Sequence, residues 1–175
     1  MIILSIGTNI GDRERNIENA IVALGEIGKV TAISPIYTSE PWGFESENGF
    51  YNIALTMESE LLPLDLLRET QRIEKELGRT TKTTTEYADR VIDIDIIAYG
   101  QTIIETPELT IPHKLMHLRN FVLYPLADIT PNWVHPILQL SVQELKNKSE
   151  DNNIPHKKWG CVYLQPHFFY PTLFH

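Results

Sequence analysis

Apolar and polar positions change period several times along the chain, and each change marks an element. Residues 2–6 are a short apolar run closed by Gly7, which predicts a buried strand. Residues 7–12 read as a loop with Asp12 as a helix N-cap. Ile17, Ala20, Ile21 and Leu24 then recur at helical spacing, with a stop near Gly25. Residues 29–38, rich in Val, Ile, Thr and Tyr, predict a strand. A long polar loop with an exposed Trp42 follows over 39–49, then a strand over 50–57. Pro63 falls in the first turn of a helix running to Leu77, with Gly78 as its stop and Leu64, Leu67, Ile73 and Leu77 toward the core. Residues 79–89 have no periodicity and are rich in threonine, which predicts a mobile loop. After the next strand come a turn at Gly100-Gln101, a short strand over 102–105 and a loop from Pro112-His113. A helix over 115–127 and a last short helix, opened by a Ser141–Glu144 capping box, complete the pattern.

The strongest alternation is RVIDIDIIAY, residues 90–99. Ile92, Ile94 and Ile96 share one face, and Val91, Asp93, Asp95 and Ile97 the other. Two carboxylates about 7 Å apart at Cα repel one another unless something positive lies between them. A hard divalent cation suits that role, and magnesium in particular is held by one or two carboxylates plus substrate phosphates. Two other readings fit the stretch alone: an edge strand with a wet outer face, and the DxD pair of a nucleotide-sugar transferase.

The order through Tyr99 is β-α-β-β-α-β, the ferredoxin-like pattern of an α+β protein with helices packed on an antiparallel sheet, followed by C-terminal additions. At 175 residues the chain has room for one domain with a sizeable core, drawn here over 1–148. Residues 149–175 begin polar and end aromatic, and are set apart as a tail. The net charge of −8 argues against general nucleic-acid binding. Cys161 is the single cysteine, so no internal disulfide forms. The first residues lack a basic leader, and the expectation is a cytoplasmic protein without a membrane span. Asn147-Lys148-Ser149 matches a glycosylation triplet, a common chance match.

No Walker A motif and no G-x-G-x-x-G is present. The groups suited to phosphate chemistry are instead the aspartate pair with Arg79, Arg90, His113 and Arg119. Metal and arginines serve phosphoryl transfer well, because that chemistry is mostly positioning and charge stabilisation. Phe50, Asn52 and Phe121 form a second group. Two aromatics and an amide suit a flat heterocycle, although by themselves both Phe residues read better as core.

Several stretches carry a family resemblance: GTNIGD at 7–12, YTSEPWG at 37–43, FYN at 50–52, QRIEKELGR at 71–79, DRVIDIDIIAYG at 89–100 and LTIPHKLMHLRNFVLYPL at 109–126. Over about residues 1–146 the chain resembles the 6-hydroxymethyl-7,8-dihydropterin pyrophosphokinases of folate synthesis. The resemblance implies transfer of pyrophosphate from ATP to a pterin hydroxymethyl group, giving AMP. It implies that Asp93 and Asp95 hold two Mg²⁺ ions, and that Arg79, Arg90, His113 and Arg119 grip the phosphates. Phe50 and Phe121 would sandwich the pterin, Asn52 would bond its edge, and backbone groups around Ser39 and Trp42 would complete the slot. Gln71, Glu74, Ile96 and Thr110 match positions near the nucleotide. A monomer acting on small molecules alone, with no nucleic acid or membrane partner, is expected. The chain departs from the family at Glu86-Tyr87-Ala88-Asp89-Arg90, where an R-W/F-G-P-R run is usual, with Lys82 or Thr81 in place of an arginine. Glu108 and Lys114 also stand where some members carry other residues. These changes bear on closure of the threonine loop, expected to be a lid. A nucleotide-binding module without turnover is the alternative.

Overall fold

A computed structural model of the chain describes residues 1–43, 46–79 and 89–158. The threonine loop expected as a lid, residues 80–88 with Lys82 and Glu86, and the aromatic end of the tail, residues 159–175, lie outside the described residues.

The centre is an antiparallel sheet. Strand β1 (Ile2–Thr8) pairs on one side with β4 (Phe50–Glu58) and on the other with β5 (Asp93–Tyr99). β4 also pairs with β2 (Lys29–Ile33) and β3 (Tyr37–Ser39). The single strand expected over 29–38 is broken at Ser34-Pro35-Ile36. Proline has no N–H to give the ladder there. A two-stranded ribbon, β6 (Ile104–Glu105) and β7 (Thr110–Ile111), lies apart from the main sheet.

Two helices cover one face. α1 (Arg13–Ile27) starts at Asp12, whose carboxylate accepts the Arg15 N–H. It runs through Gly25, the expected stop, and ends at Gly28. A side chain at Gly28 would meet the Glu58 carbonyl at 2.4 Å, so the close approach to β4 requires glycine. α2 (Pro63–Glu76) ends before Gly78, whose φ of 103° is open to glycine. Its inner positions are Leu66, Thr70, Ile73 and Glu74. Leu64 is exposed, contrary to the expectation that it faces the core, while Leu67 and Leu77 pack at the core's edge. The inner stripe of α2 carries Thr70 and Glu74, so hydrophobicity alone misplaced it. Ile2, Leu4, Ile6, Ile53, Leu55, Met57, Ile94 and Ile96 fill the core against α1 and α2.

The opposite face is covered over only part of its length. After a 3₁₀ turn at Met116–Leu118, α3 (Asn120–Ile129) packs on β4 and on α4 (Val142–Lys148). The helix expected over 115–127 therefore starts later, with Pro125 inside it. The Ser141–Glu144 capping box forms as expected. A register shift between Ile3 and Leu4 turns Ile97 and Ala98 of β5 both toward this second core, with Ile3, Leu123, Leu126 and Trp133. Residues 149–158 leave α4 and cross the body, and β8 (His156–Lys157) pairs with β3.

Candidate active site

Where α3 and α4 stop short, the second face of the sheet lies open as a cavity of about 370 Å³. Its floor is a row across three strands, in which Gly7 of β1 pairs with Asn52 of β4 on one side and Asp93 of β5 on the other. The next row pairs Ser5 with Ala54 and Asp95. Strand spacing of about 4.8 Å puts Asn52 and Asp93 about 10 Å apart, across a residue with no side chain. A Cβ at Gly7 would lie 3.2 Å from Asn52 Oδ1 and 3.8 Å from the Phe50 ring.

The acidic end is built around Asp93. Arg79 Nη1 donates to Asp93 Oδ1 and Arg90 Nη1 to Oδ2, both at 2.5 Å. Burial pushes the Asp93 carboxyl up, but the guanidiniums of Arg90 and Arg79 outweigh it and hold it below the ordinary carboxylate range. The positive charge that two neighbouring aspartates need thus comes in part from arginine. Glu74, 2 % exposed on the inner face of α2, accepts from Arg79 at 2.7 Å and from the Ile94 N–H at 2.7 Å through the same oxygen. It orients Arg79 and pins the start of β5 together.

Arg90 is fixed by the loop after β1. Asn9 Oδ1 accepts the Arg90 N–H at 2.7 Å, and the Asn9 N–H donates to the Arg90 carbonyl at 3.1 Å. Asn9 Nδ2 donates to Asp89 at 2.6 Å, and Asn16 Nδ2 to the Val91 carbonyl at 3.1 Å. Bonds from Ser46 and Asn48 hold the Asp89 carboxyl below its usual range. Residues 7 and 8, expected in a loop, belong to β1, and Asn9 just after the strand clamps residues 89–91 together with Asn16 of α1.

His113 follows a cis Ile111–Pro112 peptide, and its N–H donates to the Ile97 carbonyl at 2.9 Å. Its Nδ1 accepts from the Leu115 N–H at 3.2 Å, which leaves Nε2 to carry the proton. Burial, then the nearby Arg119 charge, lowers its pKa to about 4, so the ring is neutral at pH 7 and can donate a hydrogen bond from Nε2.

The aromatic end joins three elements. Asn52 is buried and its Nδ2 donates to Ser39 Oγ at 2.9 Å. Trp42 is half-buried, contrary to expectation, because its ring stacks on Arg119 at 4.5 Å. Arg119 also lies 5.6 Å from the Phe121 ring. Phe50 and Phe121 line the cavity, although Phe121 packs on the second core as well.

The cavity thus brings together Ser39, Trp42, Phe50, Asn52, Arg79, Arg90, Asp93, Asp95, His113, Arg119 and Phe121. Gln71, Glu74, Ile96 and Thr110 are not among its lining residues: Gln71 is exposed on α2, Glu74 and Ile96 are buried behind β5, and Thr110 is half-buried on β7. Ser5, Gly7, Glu40, Lys114 and Leu115 line it too, and sequence reasoning missed them. The signal for Ser5 and Gly7 was the alternation with Leu4 and Ile6 that continues to Thr8, and a glycine inside a strand marks close approach.

Among the described residues no group of three or more His, Cys, Asp or Glu is placed to hold a metal by itself. Two alternating carboxylates at an open cavity nevertheless fit magnesium, which takes its remaining oxygens from phosphates and water. Among the same residues no helix is long and apolar enough to cross a membrane.

A family model described as 7,8-dihydro-6-hydroxymethylpterin-pyrophosphokinase (HPPK) matches residues 3–131. The 2-amino-4-hydroxy-6-hydroxymethyldihydropteridine pyrophosphokinase of Aquifex aeolicus is 41% identical over 143 residues, covering 82% of this chain and 88% of that one. The protein of the same name from Porphyromonas gingivalis is 44% identical over 139 residues, covering 78% and 94%. A crystal structure of wild-type Plasmodium falciparum HPPK-DHPS with pteroate shares the fold at TM-score 0.67 and 16% identity. The match covers 84% of this chain and 44% of that longer one.

Proposed function

The chain belongs to the 7,8-dihydro-6-hydroxymethylpterin-pyrophosphokinase family, and from that premise we propose that its cavity transfers the β,γ-diphosphate of ATP to 6-hydroxymethyl-7,8-dihydropterin for folate synthesis. The observation that carries this reading is the single row Asn52–Gly7–Asp93. It sets a slot for a flat heterocycle about 10 Å from a carboxylate–guanidinium cluster, with bare backbone between them.

On this reading Phe50 and Phe121 sandwich the pterin, and Asn52, oriented by Ser39, bonds its edge. Trp42, stacked on Arg119, closes that side. Asp93 and Asp95 would hold magnesium, two ions by family resemblance, and the metal would supply charge neutralisation for the phosphates. Arg79 and Arg90 are poised by Glu74 and Asn9 to take phosphate oxygens, and His113 donates from Nε2. Arg119 adds positive charge at the aromatic end, near His113. The pterin hydroxyl oxygen bonds to the β-phosphorus, the bond from that phosphorus to the α,β-bridging oxygen breaks, and AMP leaves with the bridging oxygen. The hydroxyl proton passes to water, and no strong protein base is needed once the groups are aligned. On this reading Gln71 and Thr110, which lie outside the cavity lining, would meet the nucleoside, while Glu74 and Ile96 support the site from the core side of β5. The catalytic unit spans residues 1–148, with 149–158 laid against it, and acts as a cytoplasmic monomer on small molecules.

The test is a product assay with ATP, Mg²⁺ and the pterin. Pterin-dependent AMP supports the reading. ADP would mean transfer of a single phosphoryl group, and bound ATP without turnover would favour a non-catalytic module.

A further inference from the structure

We infer that Asp151 is a positioning residue for the pterin slot, acting through the segment 149–158 as a strap across the slot's two walls. The inference rests on the proposed reading of the cavity.

One wall is the start of α3, which carries Arg119 and Phe121. That helix begins without a side-chain cap of its own: its N-cap residue is Arg119, in extended backbone, and its side chain makes no capping hydrogen bond. The first N–H groups of a helix need acceptors, and Asn120 is 1 % exposed, so water does not supply one there. Asp151 does, from a segment 31 residues away. Its Oδ2 accepts the Asn120 N–H at 2.9 Å, and its carbonyl accepts Asn120 Nδ2 at 2.7 Å. The carboxylate also sets a negative charge at the positive end of the helix. The residues on either side of this doubly held position are Arg119 and Phe121.

The other wall is the stretch from Ser39 to Trp42. Asp151 Oδ1 accepts the Asn153 N–H at 2.9 Å, and Asn153 Nδ2 donates to the Glu40 carbonyl at 3.1 Å. Two residues of one segment, Asp151 and Asn153, therefore bond both walls. Beyond them the segment is anchored by β8 on β3, by the Lys158 N–H on the Ile36 carbonyl, by Lys157 to Asp128 and by Lys158 to Glu14. The walls also meet directly, where Arg119 stacks on Trp42. The spacing between Phe121 and the Ser39–Asn52 pair thus depends on Asp151. The acidic end of the cavity does not, because Arg79, Arg90 and Asp93 are held by Glu74 and Asn9.

The consequence is a selective effect on one substrate. In the full-length chain, Asp151→Ala weakens binding of 6-hydroxymethyl-7,8-dihydropterin about tenfold, read by calorimetry, and leaves the affinity for Mg-ATP within about twofold. Asp151→Asn, which keeps one acceptor and loses the charge, falls between wild type and Asp151→Ala. Asn153→Ala, which loses only the Glu40 bond, gives a smaller loss of about threefold in the same direction, and reads the strap even where Asp151→Ala fails to fold. In kinetics the pterin KM rises while the ATP KM stays in place. Unchanged pterin affinity in Asp151→Ala and Asn153→Ala would overturn the proposal. So would an equal loss for pterin and ATP, which marks general loosening. A wild-type protein that binds Mg-ATP but no pterin would instead overturn the reading of the cavity, and the strap's role with it.

Discussion

The two faces of the central sheet are made by the same strands and do opposite things. On the face under α1 and α2, alternate positions of β1, β4 and β5 are Leu4, Ile6, Ile53, Leu55, Ile94 and Ile96, all buried. On the other face, the positions between them at one end are Ser5, Gly7, Asn52, Asp93 and Asp95, and they line the cavity. A period of two lets neighbours in sequence belong to a core and to a site. The larger of the two buried apolar clusters lies on the first face, and the second face, covered in part by its own cluster, leaves these polar groups open to the cavity. Glu74 joins the two, since it lies on the core side yet fixes the arginine that serves the site.

Substitutions on either face should therefore separate activity from stability. The largest effect is expected at Asp95. Asp95→Ala should lower AMP formation about 10³-fold, as loss of a transition-state charge partner does, while the thermal midpoint stays within a few degrees; removal of Mg²⁺ by chelation should match it. Leu55→Ala, on the core face of β4 two strands away, should cost about 2–5 kcal/mol in denaturant unfolding and leave substrate affinities of the folded protein intact. Glu74→Ala should break the separation. It leaves the Ile94 N–H buried without its acceptor, costing about 1–3 kcal/mol, and it also slows turnover by releasing Arg79. Gly7→Ala should sharpen it. A methyl 3.2 Å from Asn52 Oδ1 should weaken pterin binding several-fold, about 1 kcal/mol, with little change in unfolding.

The smallest effect concerns pH. The folded pKa of His113 is depressed to about 4 from its ordinary value near 6.5. Below pH 6.5 the unfolded chain takes up a proton that the folded chain refuses until about pH 4. The stability of keeping this ring neutral is therefore complete above pH 6.5 and is lost as pH falls through that window. His113→Gln should flatten that part of the stability curve. In the native enzyme, no loss of activity near pH 6.5 should trace to His113.

Much of this division was legible in the sequence. The alternation of residues 91–97 placed Asp93 and Asp95 opposite the isoleucines, and the caps at Asp12 and Ser141 formed as expected. The misreadings have physical causes. The inner stripe of α2 was hidden because Thr70 and Glu74 are buried polar residues satisfied by hydrogen bonds, which a hydrophobic pattern cannot register. Composition predicts one strand over 29–38, but Ser34-Pro35 interrupts an otherwise uniform run and leaves two. Trp42 looked exposed because its partner, Arg119, lies 77 positions away in sequence. Residues 149–158 carry no periodicity, since what holds them is a few hydrogen bonds to distant elements and a two-residue strand. The site's residue types were readable, and the contacts that aim them were not, because those contacts join segments far apart in sequence.

The most direct test of the account follows the β-phosphorus. Wild-type protein would be incubated with Mg²⁺, 6-hydroxymethyl-7,8-dihydropterin and ATP labelled at the β-phosphate, and the labelled products separated. Pyrophosphoryl transfer puts the label in the pterin diphosphate, with unlabelled AMP formed in equal amount. Label retained in ADP, or in ATP with no turnover, would contradict it.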